Sequence, residues 1–323
     1  MEESKRIAVF LDLLGFSELV KRDKEAAYNN LNKVSRHIHT MYSDWKKLKK
    51  RNLSSEEREL FLRTSVDSFE YLLFISDSLI IGARAQEIEL FICQLSNFIS
   101  KLVIEQLENF QRRIENNIDE VKDYNTINGS LEGEISYPNA FPILFRGGMA
   151  VGDAVFHMEP RIADKKYSQL KNLNVYGKAY VEAVHLESSG KGPRVFCREQ
   201  DVIDLKEELP AVQKVKNEVY EIIWPYYTCL SKSIEHCPEK AKENINKVIE
   251  ELLSPALNLS TYYWKEGAIS EHYMELLRLI WKGIILYAEK CLDDREVEKI
   301  KQYMDQQWYK NLEQSFLNKE GFL

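Results

Sequence analysis

A chain of 323 residues is long enough for one large or two ordinary domains, and 44% hydrophobic against 29% charged residues is the balance of a globular protein. Forty-four lysines and arginines against 51 acids leave a net charge of −7, which argues against a broad nucleic-acid surface but allows a local cationic pocket for a nucleotide. The five cysteines (Cys93, Cys197, Cys229, Cys237 and Cys291) are odd in number and lack zinc-knuckle spacing, so they read as thiols of a reducing compartment. The charged start, Met-Glu-Glu-Ser-Lys-Arg, runs straight into a strand and does not read as a secretory leader. The best apolar run, Leu276–Ala288, is interrupted by Arg278 and Lys282 and is too short for a bilayer. The expectation is a cytoplasmic protein with no nucleic-acid partner and no membrane insertion.

Ile7 to Leu11 form an apolar run that predicts a buried strand, and a single carboxylate, Asp12, interrupts it. Leu13 and Leu14 follow, then Gly15-Phe16-Ser17 and a long helical pattern. Gly15 can take a turn conformation closed to other residues, and Ser17 reads as the N-cap. Free amides at that helix start make an anion site. A buried carboxylate is costly unless it is paired or holds a metal. A divalent cation between Asp12 and a phosphate would satisfy both, with an ordinary turn aspartate as the alternative. The helix is expected to reach about Arg51, with Leu19, Ala26, Leu31, Val34, Ile38, Met41 and Trp45 as its apolar stripe and Lys46–Arg51 as a solvated basic end.

Ser68–Ala83 predicts a hairpin whose tip, Ser76-Asp77-Ser78, carries a second carboxylate, Asp77. Two carboxylates with substrate phosphates are a common way to hold magnesium. Glu87–Val121 predicts a second long helix, and Asp123–Ser136 a polar loop. Phe141–Phe156 returns to strand, and Arg146 within it points to a polar cleft or a structural ion pair. Asn174–Gly177 leads into a helix over Lys178–Ser188, a loop at Gly190–Gly192 and a strand over Pro193–Cys197. This order predicts an α+β sandwich with a mixed or antiparallel sheet. From Asp201 the pattern turns helical, over Ala211–Ile223, Glu239–Leu253, Glu271–Cys291 and Glu296–Leu317, punctuated by Pro210, Pro225, Pro238 and Pro255. The expected division is a domain over 1–200 and a helical extension over 201–323.

Four segments in this order resemble the catalytic domain of class III nucleotidyl cyclases. They are Val9-Phe10-Leu11-Asp12-Leu13-Leu14-Gly15-Phe16-Ser17, Ile75-Ser76-Asp77, Arg146-Gly147-Gly148-Met149-Ala150-Val151-Gly152, and Val175-Tyr176-Gly177-Lys178-Ala179 with Leu186-Glu187-Ser188. The resemblance implies that Asp12, Asp77 and the Leu13 carbonyl hold two Mg2+ or Mn2+ ions per site. It implies that the amides of Gly15, Phe16 and Ser17 cradle a triphosphate, with Arg146 on it. The family's transition-state asparagine and arginine fall at Val181 and His185, and His185, when cationic, could partly substitute. The adenine-reading lysine and aspartate fall at Leu73 and Asn174. That substitution is similar to the stand-alone pyrimidine cyclases of bacterial Pycsar anti-phage defence, which make cyclic UMP or cyclic CMP. The implied partners are UTP or CTP and a second copy in a head-to-tail homodimer. An inactive nucleotide-binding module, and an adenylate or guanylate cyclase with unusual base contacts, remain open as alternatives.

Overall fold

The structure, a computed structural model, describes residues 5–22, 24–48, 52–116, 142, 144–160, 171–203, 209–233, 237–263 and 267–306. The first apolar run forms strand β1 (Lys5–Leu14), which becomes the middle of an antiparallel trio. It pairs with β3 (Ser78–Arg84) on one side and β4 (Leu144–Asp153) on the other. The hairpin strand β2 (Tyr71–Ile75) forms the edge beside β3. Beyond β4, β7 (Val195–Arg198) runs parallel to it, and β9 (Val219–Ile222) and β8 (Val212–Lys216) follow as an antiparallel pair. Among the described residues the strand order is β2-β3-β1-β4-β7-β9-β8, a mixed seven-stranded sheet. β5 (Val155–Pro160) and β6 (Lys171–Tyr176) form a separate antiparallel pair.

Helices α1 (Phe16–Arg22), α2 (Lys24–Leu48), α3 (Ser55–Thr64) and α4 (Ile88–Asn116) punctuate the first half. α5 (Lys178–Glu187) and the short α6 (Glu199–Val202) flank β7. The C-terminal half holds α7 (Trp224–Leu230), α8 (Pro238–Val248), a π turn at Ile249–Leu253, α9 (Ser254–Tyr262), α10 (Gly267–Cys291) and α11 (294–306). The architecture is therefore α+β, with a helical region after the last strand.

The two faces of the sheet follow the period-two alternation of its strands. Ile7, Val9, Leu11, Leu79, Ile81 and Met149 join Phe91, Phe98, Trp224, Tyr226, Leu276 and Ile280 in the large core. α4, α7 and α10 supply that cover, so the C-terminal helices share one core with the sheet. The other face carries a smaller cluster of Ala8, Leu73, Ile80, Ala150, Phe156, Ala179, Ala183, Leu186, Phe196 and Val219. Among the described residues, α5 and the β5–β6 pair cover it.

Several expectations need correction. Ala211–Ile223 is the β8–β9 hairpin, not a helix, and it extends the sheet past residue 200. Asn217 takes a φ of 37° in its turn, a conformation that asparagine tolerates. The charged Glu221 within β9, 1% exposed, is neutralised by Arg194 and by Arg278 of α10 at 3.0 Å. The helical residues after Gly15 are described as α1 and α2, with residue 23 between them outside the described residues, and α3 is a further helix, opened by a capping box of Ser54 and Glu57. Phe141–Phe156 divides at Ala154 into β4 and β5. The expected loop 123–136, and the ends of the helices expected to reach 121 and 317, lie outside the described residues.

Candidate active site

The site is built at one end of the sheet's thinly covered face. β1 presents its even residues there, and Asp12 lies opposite Ser78 of β3 and opposite Arg146 of β4 in the two antiparallel registers. Residues opposed across a ladder share a face. Asp12, Ser78 and Arg146 therefore form one polar row, two residues beyond the apolar row of Ile80, Phe10 and Gly148. The Ser78 hydroxyl lies 3.5 Å from Asp12 Oδ1. Asp77 is held by the two-residue turn between β2 and β3, in which Ser76 takes a φ of 55°. Its carbonyl accepts a 2.9 Å hydrogen bond from the Leu13 amide, which fixes the hairpin tip to the end of β1.

Electrostatics bind these groups into one unit. Burial pushes the Asp12 carboxyl up to about 6, and the negative charges of Asp77 and Glu187 push the same way. Arg146 and the Ser78 hydroxyl oppose the shift without cancelling it. Arg146 is itself engaged: its Nε and Nη2 meet Glu187 Oε1, and its Nη1 reaches the Gly190 carbonyl at 3.5 Å. Of the two readings for Arg146, the structure shows the ion pair, with Glu187. His272 of α10 lies close enough to Arg146 to feel its charge. Burial first, then Arg146 and Lys191, hold its imidazole below the ordinary histidine range, and Nδ1 accepts from the Gly192 amide at 3.0 Å.

Not every expected residue is gathered here. Gly15 has a φ of 79° and its carbonyl receives the Leu19 amide, so the glycine opens α1. Ser17 lies inside the first turn, exposed, instead of capping it. Phe16 packs against the large core. Leu73 is buried in the smaller cluster, 8% exposed. Asn174 on β6 and Val181 and His185 on α5 are exposed. Ser78, Glu187, Gly190 and His272 were missed. A signal existed for Ser78, which follows the tip aspartate, and for Glu187, which lies in the last turn of the predicted helix. None existed for His272, whose approach depends on how α10 folds back.

Among the described residues, no group of three or more histidine, cysteine, aspartate or glutamate side chains is placed to hold a metal ion, so a metal here would rest on the Asp12–Asp77 pair and on ligand oxygens. All five cysteines are free thiols. Among the described residues, no helix is long and apolar enough to cross a membrane.

No family model matches the chain, and no curated protein matches it in sequence. Solved structures that are similar include the adenylyl cyclase CyaB from P. aeruginosa, at 13% identity and a TM-score of 0.38, covering 68% of this chain and 93% of that chain. The guanylate cyclase domain of RhGC from Catenaria anguillulae in complex with GTP is similar at 11% identity and a TM-score of 0.39, covering 68% and 94%. The guanylyl cyclase Cya2 is similar at 11% identity and a TM-score of 0.39, covering 68% and 91%. Identity and superposition this low say nothing about chemistry, which has to be argued from the site itself.

Proposed function

We propose that the chain is a nucleotidyl cyclase that converts a pyrimidine nucleoside triphosphate, UTP or CTP, to the 3′,5′-cyclic monophosphate and pyrophosphate. The observation that carries this reading is the polar row. Asp12 and Arg146 are direct neighbours across the β1–β4 ladder, with Asp77 tied by its backbone to Leu13. An acid pair and a cation thus meet at one end of the sheet face that, among the described residues, α5 and the β5–β6 pair cover. In the reaction, the ribose 3′-oxygen bonds to the α-phosphorus and loses its proton, while the bond from that phosphorus to the pyrophosphate oxygen breaks. Arg146 binds the phosphates and offsets the charge that develops as pyrophosphate leaves.

The residues present fit a divalent cation. Their donors are hard oxygens, and the raised Asp12 carboxyl marks a site short of positive charge while Arg146 is paired with Glu187. Asp12, Asp77 and the Leu13 carbonyl would hold two Mg2+ or Mn2+ ions. The chemistry such ions supply is acidification of the attacking hydroxyl and neutralisation of phosphate charge.

The base reading rests on Leu73 and Asn174. Neither offers the ionic pair that adenine reading uses, and Asn174 has both donor and acceptor for a pyrimidine edge. In the proposed head-to-tail homodimer these contacts come from the partner. Val155 and Tyr176, opposed in the β5–β6 register, and Val181 expose 41%, 57% and 49% of their surfaces, an apolar flank suited to such pairing. The product would serve as a second messenger in anti-phage defence, as the resemblance implies. A second reading, a nucleotide-binding module without turnover, is favoured by Val181, which has no polar group to steady a transition state.

Incubation with each of the four ribonucleoside triphosphates and Mg2+ or Mn2+, followed by mass analysis, tests the proposal. Cyclic UMP or cyclic CMP is the expected product. A cyclic purine would overturn the base assignment alone. Binding of a triphosphate with no product from any of the four would favour the module.

A further inference from the structure

Arg146 leaves β4 on the face that α5 covers, two residues from Gly148. A Cβ at Gly148 would lie 2.2 Å from the Ala183 carbonyl oxygen and 2.5 Å from Leu186 Cβ. The missing side chain lets the C-terminal half of α5 rest directly on the strand, which delivers its last residue, Glu187, to Arg146. Glu187 Oε1 takes Nε and Nη2, the side edge of the guanidinium, and the Gly190 carbonyl takes Nη1. A guanidinium has five N–H donors in a rigid plane. Among the described residues these contacts leave one N–H on each of Nη1 and Nη2. Those two form the end edge, a parallel pair suited to a phosphate.

The holder is itself held. Glu187 is 14% exposed and Arg146 23%. The loop carrying Gly190 is clasped by the first turns of α10, through Lys191 with Glu271, the Gly192 amide with His272, and Arg194 with Glu275 at 3.6 Å. A glutamate pinned by a helix against a strand is built to stay, not to swing away when ligand arrives.

We propose that Glu187 is a positioning residue: by holding the side edge of Arg146 it aims the end edge at the substrate phosphates. This inference rests on the phosphate-binding role given to Arg146 above. It is tested by calorimetric titration of the full chain with inorganic tripolyphosphate and Mg2+, which needs no turnover. Arg146→Ala should weaken binding by about 30-fold and Glu187→Gln by about 10-fold, the scale of charge-assisted contacts. In an Arg146→Lys background, where no side edge exists to hold, adding Glu187→Gln should change affinity less than about twofold. A glutamate that merely supported the fold would weaken binding in both backgrounds and overturn the proposal. Unchanged or tighter binding by Glu187→Gln, with Arg146→Ala weakened, would also overturn it and leave the phosphate role intact. Native-like binding by Arg146→Ala, or no binding by the native protein, would remove that role and the inference together. If Glu187→Gln does not fold, Arg146→Lys alone decides. It keeps the charge but loses the edge, so binding should fall nearly as far as in Arg146→Ala, and native-like affinity would refute the positioning.

Discussion

The two faces of β1 pack into separate clusters and differ sharply. The odd residues Ile7, Val9, Leu11 and Leu13 are 0–2% exposed beneath α4, α7 and α10. Among the described residues, the even residues Ala8 and Phe10 pack with α5 and the β5–β6 pair, and Asp12 continues that row as a partly buried carboxylate. One strand therefore serves as core on one side and as a graded surface on the other, from packed to polar within five residues. A carboxylate at Asp12 is tolerable because Ser78 and Arg146 flank it across the two ladders and both favour its charged form. The same charge at Leu11 would have no partner and no water.

Four changes would break or sharpen that contrast, and the largest effect is on turnover. Asp12→Asn should reduce cyclic nucleotide formation by about 10³-fold or more while circular dichroism stays native, because only the open face loses a charge. Product at the native rate would place the chemistry elsewhere. Leu11→Ala, one residue away on the core face, should cost about 2–5 kcal/mol in urea unfolding and leave residual turnover in the protein that remains folded. Gly148→Ala should cost about 1–3 kcal/mol, because its Cβ would press on the Ala183 carbonyl and lift α5. It should also weaken tripolyphosphate binding, since Glu187 moves with the helix.

The smallest effect is on pH-dependent stability. The Asp12 carboxyl sits at about 6 in the fold against 3.8 when unperturbed, so the folded chain holds that proton more tightly than the unfolded one. Ionised Asp12 therefore costs stability above about pH 6, and the cost fades as pH falls toward 3.8. In chelator-treated protein, Asp12→Asn should melt above the native chain at pH 8, with the difference shrinking to nothing near pH 4. A constant difference across that range would mean that Asp12 is not held at a raised pKa. Excess Mg2+ should narrow the gap at pH 8 by stabilising the native chain alone.

Asp12, Asp77 and Arg146 were legible because each breaks a local apolar pattern: a charge in a buried run, an acid at a hairpin tip, an arginine in a strand. The hairpin at Val212–Ile222 was not, since its valines and isoleucine fit a helical spacing as readily as an alternating one, and only pairing with β7 decides between them. The α3 helix carries its own local signal, the capping box of Ser54 and Glu57.

The sequence by itself determined the first strand, the hairpin at Ser68–Ala83, the long helices and the residues able to carry charge into the sheet, because propensity and periodicity act over a few neighbouring positions. The tertiary structure alone decided that Asp12 faces Arg146, that Glu187 rather than His185 reaches that arginine, and that α10 returns to clasp the loop beside it. Those contacts join residues about 40 to 130 positions apart. Register, helix docking and the space left at Gly148 set them, and none of these is encoded in a short window.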